Sequence, residues 1–452
     1  MRKAPTSPIA LIVSPLPAPR SEALSCALLL ALAAALVGFP AAAQAPAGRY
    51  LEEAKALAAD PAMQQAFDRV KELDPWGMRL LLELTQIPAP PFKEEARAKR
   101  YAELLKEAGA DSVWIDEEGN VLALRRGLWG GRTVALAGHL DTVFPEGTDV
   151  TVHQRGDTLF APGIGDDTRG LIVVLTALRA MVETGMRTRD DLLFVGVVGE
   201  EGLGDLRGMK HLFRDGAPPI AAWVDIDGGG LDGITAMGLG SVRYRVTFKG
   251  SGGHSWGAFG LANPAHALAR SVTAFENVAD TLTRRGPRTS YNVGVIGGGT
   301  SVNAVPFEAW MEVDMRSESP ESLHGIEAAF LSAVQEGLAE ENAIRRRGDS
   351  LTVDLKKIGD RPSGEQPEDT PLVQRAMAAT TAFGADPSLN RSSTDSNIPI
   401  SKGIPAVTLG RGGIGGKGHS PGEWWIDRDA YLAIQRSMLV VVAEAGLGKM
   451  VG

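Results

Sequence analysis

The sequence predicts an α/β fold, in which a mostly parallel sheet is flanked by helices and interrupted by a smaller inserted α+β domain. Short apolar runs such as "TVALAGH", "DLLFVGVVGEE" and "PAVTLGRGG" end in Gly or a charge. Such runs are typical of strands buried on both faces of a parallel sheet. In contrast, "SVRYRVTFKG" alternates apolar and charged residues, which is typical of an antiparallel sheet with one solvated face.

The first 45 residues predict a leader rather than a part of this fold. Basic residues precede the apolar run "ALLLALAAALVGF", and the small-residue stretch "AAAQA" ends at Ala45. The run is short for a membrane span, and this order of segments is typical of a signal peptide over residues 1–45, cleaved near Ala45. We therefore expect a periplasmic or secreted protein with no stable membrane anchor after cleavage.

The remaining elements follow in a regular order. Helical stretches with apolar residues at spacings of 3 and 4, such as "YLEEAKALAAD", come first. Buried strands then alternate with helices, for example "TRGLIVVLTALRAMVETG", and this pattern resumes near the end with "IPAVTLG". These patterns predict a larger domain over residues 46–238 and 356–452, with the inserted domain over 239–355.

Charge and cysteine content exclude two classes of site. The chain has a net charge of −9 and no long basic run, so we expect no nucleic-acid partner. Its only cysteine, Cys26, lies in the predicted leader. A mature chain without cysteine has neither a disulfide nor a thiolate site, and it would bind a metal through His and carboxylate side chains.

Titratable side chains collect where the predicted strands end. They are His139, Asp141, Asp166, Asp167, Glu200, Glu201, Asp225, Asp227 and His419. The carboxyl ends of parallel strands meet at one edge of the sheet, so we expect these side chains to lie together. So many carboxylates would repel one another unless cations balance them. Two His and three carboxylates, one of them bridging, fit a two-zinc site.

Chemistry suggests different roles within this set. Asp166, on a loop flanked by glycine, suits a carboxylate that bridges two ions. Adjacent side chains point in different directions, so one of Glu200 and Glu201 can bind metal while the other transfers protons. Asp141 comes two residues after His139 and can orient its imidazole.

Two other functions deserve comparison. "GGHSWG" contains G-x-S-x-G with Ser255 as a nucleophile, and Asp395 and His419 follow in the chain order of a serine hydrolase. The strand before Ser255 carries Arg and Lys on one face, however, whereas a nucleophile elbow follows a buried central strand. A non-catalytic metal- or peptide-binding protein would be expected to lack the proton-transferring glutamate or a metal ligand, and the candidates for both are present.

An ordered set of motifs resembles the family of dizinc metallopeptidases. The motifs are "GHLDTVFPEG", "APGIGDDTRG", "GEEG", "GGHSWG", "NVGVIGGGTSVNAVP", "VDMRS" and "GKGHSPGEW". The family includes aminoacylase, glutamate carboxypeptidase, acetylornithine deacetylase, succinyl-diaminopimelate desuccinylase and peptidase T. The resemblance covers almost the whole chain after the leader. It implies a zinc-peptidase-like sheet, an inserted lid and dimerisation domain, and a homodimer.

The resemblance also implies two Zn²⁺ ions, and Co²⁺ or Mn²⁺ can use the same ligands. His139 and Asp227 would hold one ion, Glu201 and His419 the other, and Asp166 would bridge them. The Asp166–Asp167 peptide bond would be cis.

The remaining roles concern catalysis and substrate. The resemblance implies that Glu200 is the general base and that Asp141 supports the first His ligand. His254 would stabilise the oxyanion, usually across the dimer. Arg316 would clamp a substrate carboxylate, and Asn303 would also face the substrate.

One departure bears on the substrate. Asp227 stands where many deacetylases and carboxypeptidases of the family have Glu, whereas peptidase T and dipeptidase relatives have Asp. Asp225 lies close by, but "DGGG" follows Asp227. We therefore expect a di- or tripeptidase or other exopeptidase, with an N-acyl-amino-acid deacylase as the alternative.

Overall fold

The computed structural model describes residues 45–448 and is built on an eight-stranded sheet. The predicted leader thus lies outside the described residues except for Ala45. In spatial order the strands are β1 (Ser112–Ile115), β2 (Val121–Arg125), β6 (Asp191–Val197), β3 (Thr133–His139), β7 (Ala222–Gly228), β16 (Ala406–Gly410), β8 (Gly233–Gly238) and β15 (Ser388–Ser392). The central strands β6, β3, β7 and β16 are mutually parallel, which confirms the predicted α/β class.

Helices cover both faces of this sheet. They are α1 (Gly48–Ala58), α2 (Pro61–Thr85), α3 (Glu95–Glu107), α4 (Gly170–Glu183), α5 (Arg207–Leu212), α8 (Pro371–Ala382), α9 (Asn397–Ser401) and α10 (Tyr431–Ala445). Alternate residues of β3 join opposite cores: Val134 and Leu136 pack in the larger one, and Ala135 and Ala137 in the one beneath α5 and α9. Because both faces are covered, the strands are continuous apolar runs.

The alternating segments form a second, antiparallel sheet with its own core. Its spatial order is β11 (Thr289–Gly298), β13 (Glu308–Ser317), β9 (Gly240–Lys249) and β14 (Thr352–Arg361). The buried face of β9 packs on α6 (Pro264–Thr283) and α7 (Pro320–Ile344), and its arginines lie on the other face. There Arg245 pairs with Glu312 of β13 at 2.7 Å. The division of the chain at residues 239 and 355 stays a prediction.

Two small sheets complete the description. Strands β10 (Gly253–His254) and β12 (Ala304–Val305) form one pair. The other sheet is ordered β17 (Ile414–Gly416), β18 (Trp424–Ile426), β5 (Thr158–Phe160) and β4 (His153–Arg155). Between residues 45 and 448 we find no helix with the length and apolar character needed to cross a membrane.

Candidate metal centre

His139 ends β3 and turns one ring nitrogen towards a group of carboxylates. Its Nδ1 lies 3.0 Å from the carbonyl oxygen of Asp141, whereas its Nε2 lies 3.2 Å from Asp166 Oδ1 and 3.7 Å from Asp227 Oδ1. Burial opposes a charge on this ring, but hydrogen bonds with the three aspartates raise its pKa well above the ordinary value. A divalent cation could take over the charge-balancing role of that proton.

Asp166 joins two imidazoles through its two oxygens. It lies in the turn Ile164–Arg169, which leads directly into α4, and its bond to Asp167 is cis, as the resemblance implied. Oδ1 faces His139, and Oδ2 lies 3.2 Å from Nε2 of His419. A carboxylate in this position can bridge two cations.

His419 and Glu201 form the other half of the cluster. His419 follows the glycine-rich loop and has a left-handed backbone, with φ of 60°. Its Nε2 lies 3.0 Å from Glu201 Oε1. Hydrogen bonds with Asp166 and Glu201 raise the pKa of His419 to about 10. The imidazole therefore also carries a proton where a cation could bind.

The donor atoms fit divalent metal ions. Three overlapping groups each bring their ligand atoms within 4.8 Å of one another: His139, Asp166 and Asp227; Asp166, Glu201 and His419; and His139, Glu200 and Glu201. Imidazole nitrogens and carboxylate oxygens are zinc ligands. Because the first two groups share Asp166, the cluster offers two adjoining sets of possible metal ligands.

Asp141 contacts both His139 and the loop that carries Glu200 and Glu201. This fully buried carboxylate accepts hydrogen bonds from the backbone amides of Glu200 at 3.0 Å and Glu201 at 2.8 Å. Its Oδ1 also lies 3.5 Å from His139 Nδ1. The sequence suggested only the contact with His139, because the approach of the Glu200–Glu201 loop depends on the pairing of β3 with β6.

Glu200 is buried beside the cluster and is held by an arginine that the sequence did not single out. Arg361, at the end of β14, donates one hydrogen bond to Glu200 Oε1 at 3.0 Å and another to the Glu200 carbonyl. Burial raises the pKa of Glu200 to about 8, although Arg361 opposes this shift. On a strand that alternates charged and apolar residues, Arg361 could not be told from a solvated arginine.

A cavity of about 580 Å³ opens above the cluster. Asp166, Glu200, Glu201, Asp227 and His419 line one side. The inserted sheet, strand β15 and the loop after β15 supply further lining residues, including Arg243, Arg316, Asn390, Arg391, Ser392, Ser393 and Thr394. Of these, the sequence identified only Arg316. The others are polar residues of types common on any surface, and only the tertiary fold brings them to the cavity.

Arg243 and Arg316 share one counter-ion on the polar face of the inserted sheet. Asp314 accepts from Arg243 Nε through Oδ1 and from Arg316 Nε through Oδ2, each at 2.8 Å. Arg243 also donates to the carbonyl of Gly202 at 3.0 Å, next to Glu201. The two arginines and the aspartate therefore present a net positive charge of one to the cavity.

Two predicted site residues lie elsewhere in the single chain. His254 and Asn303 are exposed at the β10–β12 pair, where the amide of Ser255 donates to the carbonyl of Asn303 at 2.8 Å. Neither is among the cavity-lining residues. Ser255 follows a two-residue strand rather than a buried central one. Nε2 of His419 faces Asp166 and Glu201. This arrangement argues against a serine hydrolase.

Comparison with known proteins identifies relatives of the chain. The model of the peptidase family M20/M25/M40 matches residues 135–442. The chain is 28% identical over 244 residues to a succinyl-diaminopimelate desuccinylase of Corynebacterium glutamicum, an alignment that covers 52% of this chain and 65% of the relative. It is 34% identical over 169 residues to a putative LysW-lysine/LysW-ornithine hydrolase of Pyrococcus abyssi, covering 37% and 44%. The chain thus spans less than two thirds of these relatives' length.

A solved structure shares the fold. A tripeptidase of Staphylococcus aureus superposes with a TM-score of 0.64 at 21% identity, covering 81% of this chain and 98% of that one.

The predicted periplasmic or secreted location is wrong. Among the relatives found, the desuccinylase and the LysW hydrolase are cytoplasmic enzymes and not secreted ones. The order of basic, apolar and small residues that suggested export occurs only in the leader, of which the structure describes Ala45 alone.

Proposed function

The chain belongs to the peptidase family M20/M25/M40, and we propose that this metallohydrolase cleaves an amide bond in a short peptide at a centre of two Zn²⁺ ions. The observation that carries the proposal is the position of Asp166. Its two oxygens face two different imidazoles, and each imidazole has a second carboxylate partner, Asp227 or Glu201. Co²⁺ or Mn²⁺ could bind to the same ligands.

Each residue of the cluster then has a defined task. His139 and Asp227 would hold one ion, Glu201 and His419 would hold the other, and Asp166 would be shared by both. When bound, such ions polarise a carbonyl group and lower the pKa of water. Asp141 fixes the His139 ring and the two glutamate amides, so that the ligands keep their geometry.

Glu200 is the general base of the proposed reaction. It takes a proton from the attacking water and returns it to the leaving amine. One Glu200 oxygen lies within 4.8 Å of ligand atoms of His139 and Glu201, so the carboxylate is beside the reacting groups. A raised pKa, near 8 in the metal-free protein, suits a group that must both accept and release a proton near neutral pH.

The cavity supports a substrate with one carboxylate. Arg316, with its guanidinium shared between Asp314 and the cavity, is the proposed clamp, and Arg243 supports it. A volume of about 580 Å³ is in the range of small-ligand sites. The likeness to a tripeptidase favours a short peptide, and the desuccinylase relative favours an N-acyl amino acid as the second candidate.

We also propose a homodimer in which His254 and Asn303 reach the cavity of the partner. In one chain both residues are exposed, and the neighbouring Trp256 and Phe259 expose 87% and 66% of their surface. Strand β11 is an edge of the inserted sheet and carries exposed Val295 and Ile296. An unpaired edge with apolar side chains is suited to pairing with a second copy.

The test is a substrate screen on protein stripped of metal and reloaded with Zn²⁺. We expect hydrolysis of dipeptides, tripeptides or N-acyl amino acids that requires the metal. Glu200→Gln should lose at least about a hundredfold in kcat while its zinc content is unchanged. Glu94→Gln is a matched control, because Glu94 is also buried against an arginine, Arg207, but lies outside the cavity.

Three results would count against the proposal. Activity that survives chelation would contradict the proposed need for a metal. Full activity in Glu200→Gln would contradict the proposed role of Glu200 as the general base. A protein that binds zinc but hydrolyses none of these substrates would be the non-catalytic binding protein.

A further inference from the structure

A partly buried arginine contacts one half of the proposed metal centre. Arg411 lies in the loop after β16 with 15% of its side chain exposed. Its Nη1 donates to the carbonyl of Gly165 at 2.6 Å and lies 3.2 Å from both Asp166 Oδ1 and Asp167 Oδ1. The same nitrogen is 3.9 Å from Asp227 Oδ1. The guanidinium therefore faces several carboxylates at once.

The arginine is near the ligands of one ion position only. Asp166 Oδ1 and Asp227 Oδ1 are the two oxygens that face Nε2 of His139. At the other position, among the residues that the structure describes, no arginine or lysine forms an ion pair with Asp166 Oδ2 or with Glu201. The two positions share a bridging carboxylate, but among the described residues only the His139–Asp227 position has an arginine directly against its ligand oxygens. On the other side, Arg361 pairs with Glu200 rather than with a proposed ligand.

We propose that Arg411 makes the two metal positions unequal, so that a divalent ion binds more weakly at His139–Asp227 than at Glu201–His419. A guanidinium is always charged and repels a cation held by the same oxygens. It also pairs these carboxylates when no ion is bound, which removes part of the gain from binding one. At limiting metal, the centre then fills in order, with the Glu201–His419 position first.

Asp167 limits the size of this effect. It accepts from Arg411 through Oδ1 and from the amide of His139 through Oδ2, at 3.0 Å. Its position between the arginine and the His139 backbone offsets part of the positive charge. We therefore expect dissociation constants that differ by about tenfold to a hundredfold, less than an unscreened buried charge would produce.

The inference rests on the proposed dinuclear centre and is tested by metal binding rather than by turnover. Metal-free protein is titrated with Zn²⁺ against a competing chelator, and bound ions are counted by mass spectrometry. Wild type should bind two ions with separated affinities. Arg411→Met should reduce the difference between the two dissociation constants by strengthening binding at the weaker position. Arg411→Lys keeps the charge and should preserve this difference.

Single-position variants identify which ion is which. His139→Ala should leave one tight position, and His419→Ala should leave one weak position. If Arg411→Met does not fold, this pair of variants still tests the predicted order of the two affinities, and equal affinities would overturn the proposal. Arg391→Met is the control, because Arg391 lines the cavity but donates to the carbonyls of Gly238 and Glu318. It should leave both affinities unchanged.

The failures are distinguishable. Equal affinities in the wild type, equal affinities in the two histidine variants, or an unchanged difference in a folded Arg411→Met protein would overturn the role of Arg411. Wild-type protein that binds no divalent ion would overturn the proposed metal centre itself.

Discussion

Replacing Arg361 by methionine should move the pH dependence of catalysis upwards. Arg361 Nη1 lies 3.0 Å from Glu200 Oε1, and the two side chains are only 5% and 7% exposed. The variant leaves the carboxylate of the proposed base without this partner. Losing a nearby positive charge disfavours the ionised form, so the pKa of Glu200 must rise.

The magnitude follows from the distance and the burial. Unit charges about 4 Å apart interact by about 4 kcal/mol at an effective dielectric constant of 20, which corresponds to about three pKa units. Relaxation and water entry reduce this value. We expect the acidic limb of the kcat/KM profile to shift to higher pH by at least about one unit. At pH values below the limb, kcat/KM should then be about tenfold lower than in the wild type.

The assay is a pH profile of kcat/KM for the zinc-loaded wild type, Arg361→Met and Arg361→Lys. The lysine variant keeps the charge, so its acidic limb should lie close to the wild-type pH. Arg207→Met removes the partner of another buried glutamate, Glu94, outside the cavity, and should leave the limb in place. A profile that falls uniformly at all pH values would show that Arg361 acts only on structure and would refute this reasoning.

Three further predictions concern the same site. Asp141→Asn should weaken zinc binding by about tenfold to a hundredfold, measured by titration, because the ligands lose their common anchor. In the metal-free protein, Glu200 keeps its proton to about pH 8, whereas an unfolded glutamate loses it near 4.5. This contribution to the free energy of unfolding is therefore complete below pH 4.5 and is lost as pH rises through 8, by up to about 1.4 kcal/mol per unit; urea unfolding should show that Glu200→Gln lacks it. Arg316→Met should raise KM for peptides with a free carboxylate but not for their amides, and equal changes for both would exclude a clamp.

The sequence could predict the parts of the site that depend on strand order. Buried runs ending in His139 or Glu201 identify the carboxyl edge of a parallel sheet, and the alternation in β9 identifies the second sheet. Both patterns are visible in the sequence because they depend only on whether one or both faces of a strand are buried.

The sequence could not predict contacts that depend on how the two sheets meet. Arg243, Arg361 and Arg411 have the same local pattern as solvated arginines, and only the packed structure shows that Asp314, Glu200 and Asp166 are their partners. The opposite error occurred at the leader, where a residue pattern alone suggested export. His254 and Asn303 remain predictions, because their proposed partner is a second chain.

The position of β16 in the sheet has a consequence for the newly made protein. β16 lies between β7 and β8, although about 170 residues separate it from them in sequence, and β15, the other neighbour of β8, is also made late. During synthesis β8 therefore has no strand to pair with until the chain beyond residue 388 has left the ribosome. His419 follows β16 within ten residues. The strand that completes the sheet thus closely precedes the last of the proposed metal ligands, so a nascent chain cannot bring all of the proposed ligands together before its sheet is nearly finished.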